Sequence, residues 1–274
     1  MVGFVVVHRP KLKELEEKNK NIAYYTGFSG DTVKLQLTPP ILENEDHILT
    51  SAEDLKLKHY IRGTVIRYTL DGTPPDSTKS PVYKEGIIID TNVTLKAIAF
   101  KEGWLTSDVL EHHFYKRNFS ADSVRLLTKG EDRFRASGGH TLNDSDRSDV
   151  NFASGKWLGY KESDLVAIFR FPEPITTNSI TLSTLEDLST LIFLPQQVEV
   201  YGGMSPGNMK LLGSMKPKQP GDMRTRMNVA VSCNYPAANV RYIKLVVKPV
   251  AKIPTWHQQK GQKAMVFVDE VFVN

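Results

Sequence analysis

Alternating apolar and polar positions dominate the chain from about residue 31 onward. Residues 33–37 alternate, residues 64–70 do so again, and in residues 94–100 Leu95, Ala97 and Ala99 fall on one face. Turn-forming residues separate these runs: Asp71-Gly72 followed by Pro74-Pro75, then Ser80-Pro81, then Glu102-Gly103. Short strands at this spacing predict a small antiparallel sandwich over residues 31–117. A second set of longer strands follows over residues 122–274, clearest at 165–171, 179–185, 197–201, 242–250 and 264–273. Between 202 and 228 the chain is polar and rich in Gly, Pro and Met, as expected of a long hairpin or surface loop. Residues 138–156 are loop-like too and dense in Asp, Ser and His, and long loops on a rigid sandwich are where binding sites sit. Only the start breaks the β pattern. Residues 1–30 hold a short apolar strand and an expected helix, with Pro10 suited to its first turn and Leu12, Leu15 and Ile22 near helical spacing.

Length and composition fit two domains able to bury full cores. The chain has 274 residues, of which 40% are hydrophobic and 24% charged. A net charge of +4 is too small an excess to imply nucleic acid, which calls for a concentrated basic face. The single cysteine, Cys233, excludes an intrachain disulfide scaffold and, inside an apolar run, is expected to pack as a small hydrophobe. No stretch is long enough for a transmembrane helix. Residues 1–7 are apolar but run straight into His8-Arg9-Pro10 without a cleavage-type segment, so the chain is expected to be cytoplasmic or a piece of a longer secreted parent.

Two segments carry family resemblance. The run Ile66-Arg67-Tyr68-Thr69-Leu70-Asp71-Gly72-Thr73-Pro74-Pro75, then Ser80-Pro81-Val82-Tyr83, then Thr94-Leu95-Lys96-Ala97-Ile98-Ala99-Phe100 resembles the small domain at the C-terminal end of chitobiase and β-hexosaminidase chains. Further on, Leu142-Asn143-Asp144-Ser145, Gly155-Lys156-Trp157-Leu158-Gly159-Tyr160, Pro254-Thr255-Trp256-His257 and Phe267-Val268-Asp269-Glu270-Val271 are similar to a coagulation factor V/VIII type C, or discoidin, domain. That fold is shared with family 32 carbohydrate-binding modules. The resemblance implies an all-β chain: a small Ig/fibronectin-like sandwich, then a discoidin-like jelly-roll sandwich, preceded by the short strand-helix segment. The order of the two modules is similar to the C-terminal half of bacterial family 20 glycoside hydrolases, which implies a secreted, periplasmic or cell-surface protein. Ser145 departs from the family pattern, which usually has glycine there, and this loosens the expected turn.

Catalysis is not expected. A family 20 active site needs a barrel of about 250 residues or more, and both domains are already occupied by β patterns. The acidic pairs Glu45-Asp46, Glu53-Asp54 and Glu186-Asp187 sit in polar segments and are expected to be solvated. Asp269-Glu270 is different, because it interrupts the apolar run 265–273, where a charge is costly unless paired or metal-bound. An ion pair with Arg241 or Arg125 would satisfy it. The alternative implied by the resemblance is a structural calcium site made by Asp144, with Asp149 or Asp146 beside it, and closed by Glu270; calcium takes six to eight oxygens.

For sugar, Trp256 and His257 lie in a loop before the last strand, where an exposed indole would stack on a sugar ring. Trp157 and Tyr160 flank Gly159 at a strand mouth and are either platforms or core. Arg135 and His140, with Arg133, precede the acidic loop and could bond sugar hydroxyls. The expected partner is a glycan containing N-acetylhexosamine or galactose, with an upstream catalytic domain as a second partner. A structural spacer packing on that domain is the competing function, and a buried Trp256 would favour it.

Overall fold

The computed structural model describes residues 35–44 and 48–274. The strand and helix expected within residues 1–30, and the pair Glu45-Asp46, lie outside the described residues. The described chain is all-β and forms two sandwiches joined at about residue 117.

The first sandwich is built from short strands: β1 (Ile41–Leu42), β2 (Ile48–Leu49), β3 (Glu53–Asp54), β4 (Leu57–Lys58), β5 (Val65–Thr69), β6 (Ile88–Ile89), β7 (Val93–Phe100) and β8 (Leu110–Lys116). A four-stranded sheet in the order β2-β8-β7-β5 faces the two small pairs β1-β4 and β3-β6. Period-two alternation does what it predicts in β7, where Leu95, Ala97 and Ala99 are all fully buried. The Asp71-Gly72 turn forms as an Asx turn. The Asp71 carboxylate accepts from the Thr73 N–H at 3.0 Å and from its hydroxyl at 2.6 Å, while Gly72 takes a φ of 78° that suits glycine. The turn sends residues 81–83 back along β5: Tyr68 donates to the Pro81 carbonyl and Tyr83 to that of Ile66. Residues 33–37 contribute less than expected. Within their described part, Gln36 makes one isolated bridge, to Leu105.

The second sandwich depends on two strands that are far longer than the sequence suggests. It comprises β9 (Ser123–Leu126), β10 (Leu158–Tyr160), β11 (Leu165–Glu186), β12 (Gln197–Gly203), β13 (Lys210–Met215), β14 (Met227–Lys248) and β15 (Val266–Val273). The runs expected as separate strands at 165–171 and 179–185 are the two ends of β11, and 242–250 is the end of β14. Register shifts between Arg170 and Ile175 and between Thr177 and Ser179 mark where this hairpin bends from one layer into the other. Accordingly β9 pairs only with residues 167–170 of β11, and β15 only with residues 180–185. Ala167, Phe169 and Phe171 from one arm, Ile180 and Leu182 from the other, and Val198, Ile243, Leu245, Val266 and Val268 fill the single core between the layers. Cys233 is buried in that core, as a small hydrophobe should be. The segment expected as a long hairpin or surface loop, 202–228, holds both: β13 pairs antiparallel with β12 as a hairpin, and residues 216–226 are loop.

The bend has a functional consequence. Leu165 and Glu186, at opposite ends of β11, come to the same end of the sandwich, so the loops that flank them gather there.

Candidate functional site

Direct contacts show four loops meeting at this end. Gln219 donates to the carbonyls of Leu194 and Pro195, Ala251 donates to the Gln196 side chain at 3.0 Å, and Lys263 pairs with Glu162. Beneath the loops, Leu188, Phe193, Val250, Ile253 and Ala264 form a satellite core. Trp256 packs on it and is half-buried, with its indole N–H donating to the Pro220 carbonyl at 3.1 Å. Its neighbour His257 points inward. His257 Nε2 lies 3.1 Å from the Leu188 carbonyl and Nδ1 accepts from the Gln259 N–H at 3.0 Å, which sets the proton on Nε2. The His257 ring meets Trp256 and Phe193 edge-on, so the indole is held on one side and partly open on the other. Exposed Gln258, Gln259, Lys260 and Lys252 surround it in sequence and supply hydrogen-bond donors.

An ionic clamp holds this loop end in place. Glu186 and Asp187, expected to be solvated, are both buried. Arg224 forks onto Glu186, and Arg226 Nε lies 2.8 Å from Asp187. The sequence reading fails here because the arginines that neutralise the pair arrive from a loop about 40 positions later. The clamp ties residues 216–226, and with them Pro220, to the end of β11.

The remaining sugar candidates separate. Trp157 is 1% exposed and stacks over Phe267, with its N–H on the Asn151 carbonyl; it is core. Tyr160 is buried with its hydroxyl on the Thr128 carbonyl, so it too is closed to a ligand except at the edge of a shallow cleft of about 400 Å3 that it shares with Arg135. Gly159 between them is required, because a Cβ there would sit 2.6 Å from the Phe267 ring. Arg135 is exposed and paired to Asp132. His140 is exposed on a 3-10 turn, Gly138–Leu142, with Nδ1 3.5 Å from Asp144. Of the six, only Trp256 combines an aromatic face, partial exposure and a rigid mount.

Asp269 and Glu270 lie elsewhere, in the seam between the sandwiches, and both are fully buried. The outer face of the β15 layer is covered by residues 144–157 and by the first sandwich. Tyr115 stacks on Phe272 with ring centroids 4.6 Å apart, and Asn92 donates to Thr181 at 2.8 Å. Asn118 and Phe119 donate to the Val273 carbonyl. The ion pair expected for this acidic couple exists, but its partner is Arg117, which donates to Glu270 Oε1 and to the Ser145 hydroxyl. Arg241, one of the expected partners, instead bonds the Phe171 and Pro172 carbonyls. Asp269 accepts from the Ser148 N–H at 2.6 Å, while Arg147 lies over the Tyr115 ring and reaches Ser183. Burial pushes Asp269 up to about 6, against the pull of Ser183 and Arg147, and Glu270 up to about 8, against Arg117. Glu270 Oε2 and Asp269 Oδ1 have no hydrogen-bond partner among the described residues.

The three candidate calcium ligands are distributed as follows. Asp144 accepts from the Asp146 N–H at 2.9 Å and lies close enough to Glu270 to oppose its ionisation. Asp149 is exposed and caps its own loop through the Asn151 N–H. Among the described residues, no three His, Cys, Asp or Glu side chains are gathered as a metal group.

Residues 55–114 match the Fn3-associated family model. The chain is similar to solved carbohydrate-binding modules. The module of AlyQ in complex with 4,5-unsaturated mannuronic acid is 11% identical, covering 57% of this chain and 96% of its own, with a TM-score of 0.38. A Clostridium perfringens module in complex with GalNAc-β-1,3-galactose is 11% identical over 55% of this chain and 93% of its own, with the same TM-score of 0.38. Chitosan-binding module 1 of a chitosanase/glucanase from Paenibacillus sp. IK-5 is 10% identical over 58% and 98%, with a TM-score of 0.37. No curated protein matches the chain.

Proposed function

We propose that the chain is the non-catalytic, carbohydrate-binding accessory region of a secreted glycoside hydrolase-type protein, with a β-hexosaminidase-like parent. The observation that carries this reading is the mounting of Trp256. The C–H face of a sugar ring packs well on an electron-rich indole face, and here the indole is half-open, fixed by the Pro220 carbonyl and braced by His257. The exposed glutamines and lysines that flank it in sequence carry donors suited to hydroxyls. A shallow platform of this kind buries little area, so affinities of roughly millimolar to micromolar follow. Among the described residues no helix is long and apolar enough to cross a membrane.

The test is a glycan array of the full chain, comparing wild type with Trp256→Ala. Binding to N-acetylhexosamine- or galactose-containing glycans that disappears in the variant supports the reading. Binding that survives the substitution moves the sugar face away from Trp256, and a blank array for wild type removes the function.

A second reading, a rigid spacer, is favoured by the seam. Stacked Tyr115 and Phe272, with Arg117 on Glu270, hold the two sandwiches in one relative orientation. That arrangement suits a module that sets the geometry of a neighbouring catalytic domain, and a blank array would favour it.

A further inference from the structure

Calcium is the cation implied for the seam by the discoidin resemblance, and the residues present do not fit it. Between the 144–145 turn and Glu270 lies the side chain of the linker residue Arg117. Arg117 is 6% exposed, and its guanidinium spans the gap with one nitrogen on Glu270 Oε1 and another on the Ser145 hydroxyl. A divalent ion in contact with Glu270 would have to displace a fixed positive charge or sit against it, and like charges at such separations repel strongly where water is scarce. Asp149 is exposed and caps its own loop by accepting from the Asn151 N–H.

We infer that Arg117 takes the cation's place and fastens the two sandwiches to each other without a metal.

Ser145 gives independent support. It adopts a φ of 65°, a conformation that glycine reaches without strain and that costs a serine side chain roughly 1 kcal/mol. What the strained residue gains over glycine is the hydroxyl that accepts from Arg117 Nη1. The departure from the family pattern and the linker arginine are therefore two halves of one contact. The lock is also directional. Arg117 follows β8 of the first sandwich, its N–H donates to the Leu49 carbonyl there, and its guanidinium lies 5.1 Å from the Phe272 ring of the second. Any rotation of one sandwich against the other would drag the guanidinium off the carboxyl.

Two melts of the full chain test this, one in excess calcium chloride and one in EDTA. The midpoints are expected to agree within about 1 °C. A resident ion at a hundredfold excess over its Kd would instead raise the midpoint by roughly 5–10 °C, and that result overturns the inference. In EDTA, Arg117→Met, which keeps the bulk and removes the charge, is expected to melt at least roughly 6 °C lower; a wild-type midpoint in this variant also overturns it. Should Arg117→Met fail to fold, Arg117→Lys retains the charge but reaches only one of the two oxygens. Its expected midpoint lies below wild type, and equality with wild type counts against the lock.

Discussion

The loop end around Trp256 and the seam around Glu270 both stood out as chemistry in the sequence, and folding treats them in opposite ways. At the loop end, charged residues are buried so that an aromatic can stay partly open: Arg224 and Arg226 neutralise Glu186 and Asp187, and the loop they hold carries the carbonyl that fixes the Trp256 ring. In the seam, charged residues are buried so that nothing stays open: Arg117 covers Glu270, Tyr115 covers Phe272, and Ser148 covers Asp269. Buried ion pairs are thus poor indicators of a ligand site. What they enclose decides whether a surface remains for a partner.

The comparison breaks most visibly through Phe272. Its ring is fully buried against Tyr115, so Phe272→Ala is expected to cost about 3–5 kcal/mol in urea denaturation. It should also split the unfolding into two transitions, one per sandwich; a single transition with a cost under about 1 kcal/mol would mean that the seam does not couple them.

Next in size is the pH dependence of the seam. Burial raises Asp269 from 3.8 to about 6, so the folded chain holds a proton there that the unfolded chain releases. Stability from this group is therefore present in full below about pH 4 and is lost as pH climbs through about 6. The groups facing it are Ser183, Arg147 and the Ser148 N–H. Asp269→Asn should flatten the slope, an effect on the order of 3 kcal/mol at its upper bound. An unchanged profile in the variant would show that Asp269 does not titrate in the fold.

Glu186→Gln tests the clamp. It leaves Arg224 and the buried amide imperfectly matched, with an expected cost of about 1–2 kcal/mol and weaker glycan binding, because Pro220 is no longer held. Lost stability with unchanged binding would uncouple clamp from platform. Trp256→Ala should cost at most about 2 kcal/mol, since the ring is only half-buried, yet remove glycan binding on the array. Smallest of all, His140→Ala changes an exposed side chain, with stability within about 0.5 kcal/mol of wild type and no effect on binding. A large loss of binding there would move the sugar face toward the 3-10 turn.

Much of the fold was legible because period-two alternation and turn chemistry are local. The strand at Leu95, Ala97 and Ala99, the Asp71-Gly72 turn, the packed Cys233 and the strand carrying Asp269-Glu270 all appear where the pattern puts them. The continuity of β11 was not legible. The pattern lapses between the runs at 165–171 and 179–185, where Pro172 and Pro174 stand, and only the pairing with β14 carries the chain through them as a bend. At the candidate site, both Trp157 and Trp256 could be singled out, but not which of the two faces outward. Trp157 and Trp256 both precede a strand beside polar residues; one meets Phe267 across the sheet and the other meets a rim of loops.

By itself the sequence determined the β class, the two-module order and the fact that an acidic pair sits in an apolar strand, because each depends on residues close together along the chain. Only the tertiary structure decided the partners of that pair, the burial of Glu186 and Asp187, and the exposure of Trp256. Those properties depend on arginines and carbonyls tens to more than a hundred positions away, as in the Arg117–Glu270 contact across 153 residues. No local pattern encodes a distance of that kind, since it is set by how the long bent strands bring their ends together.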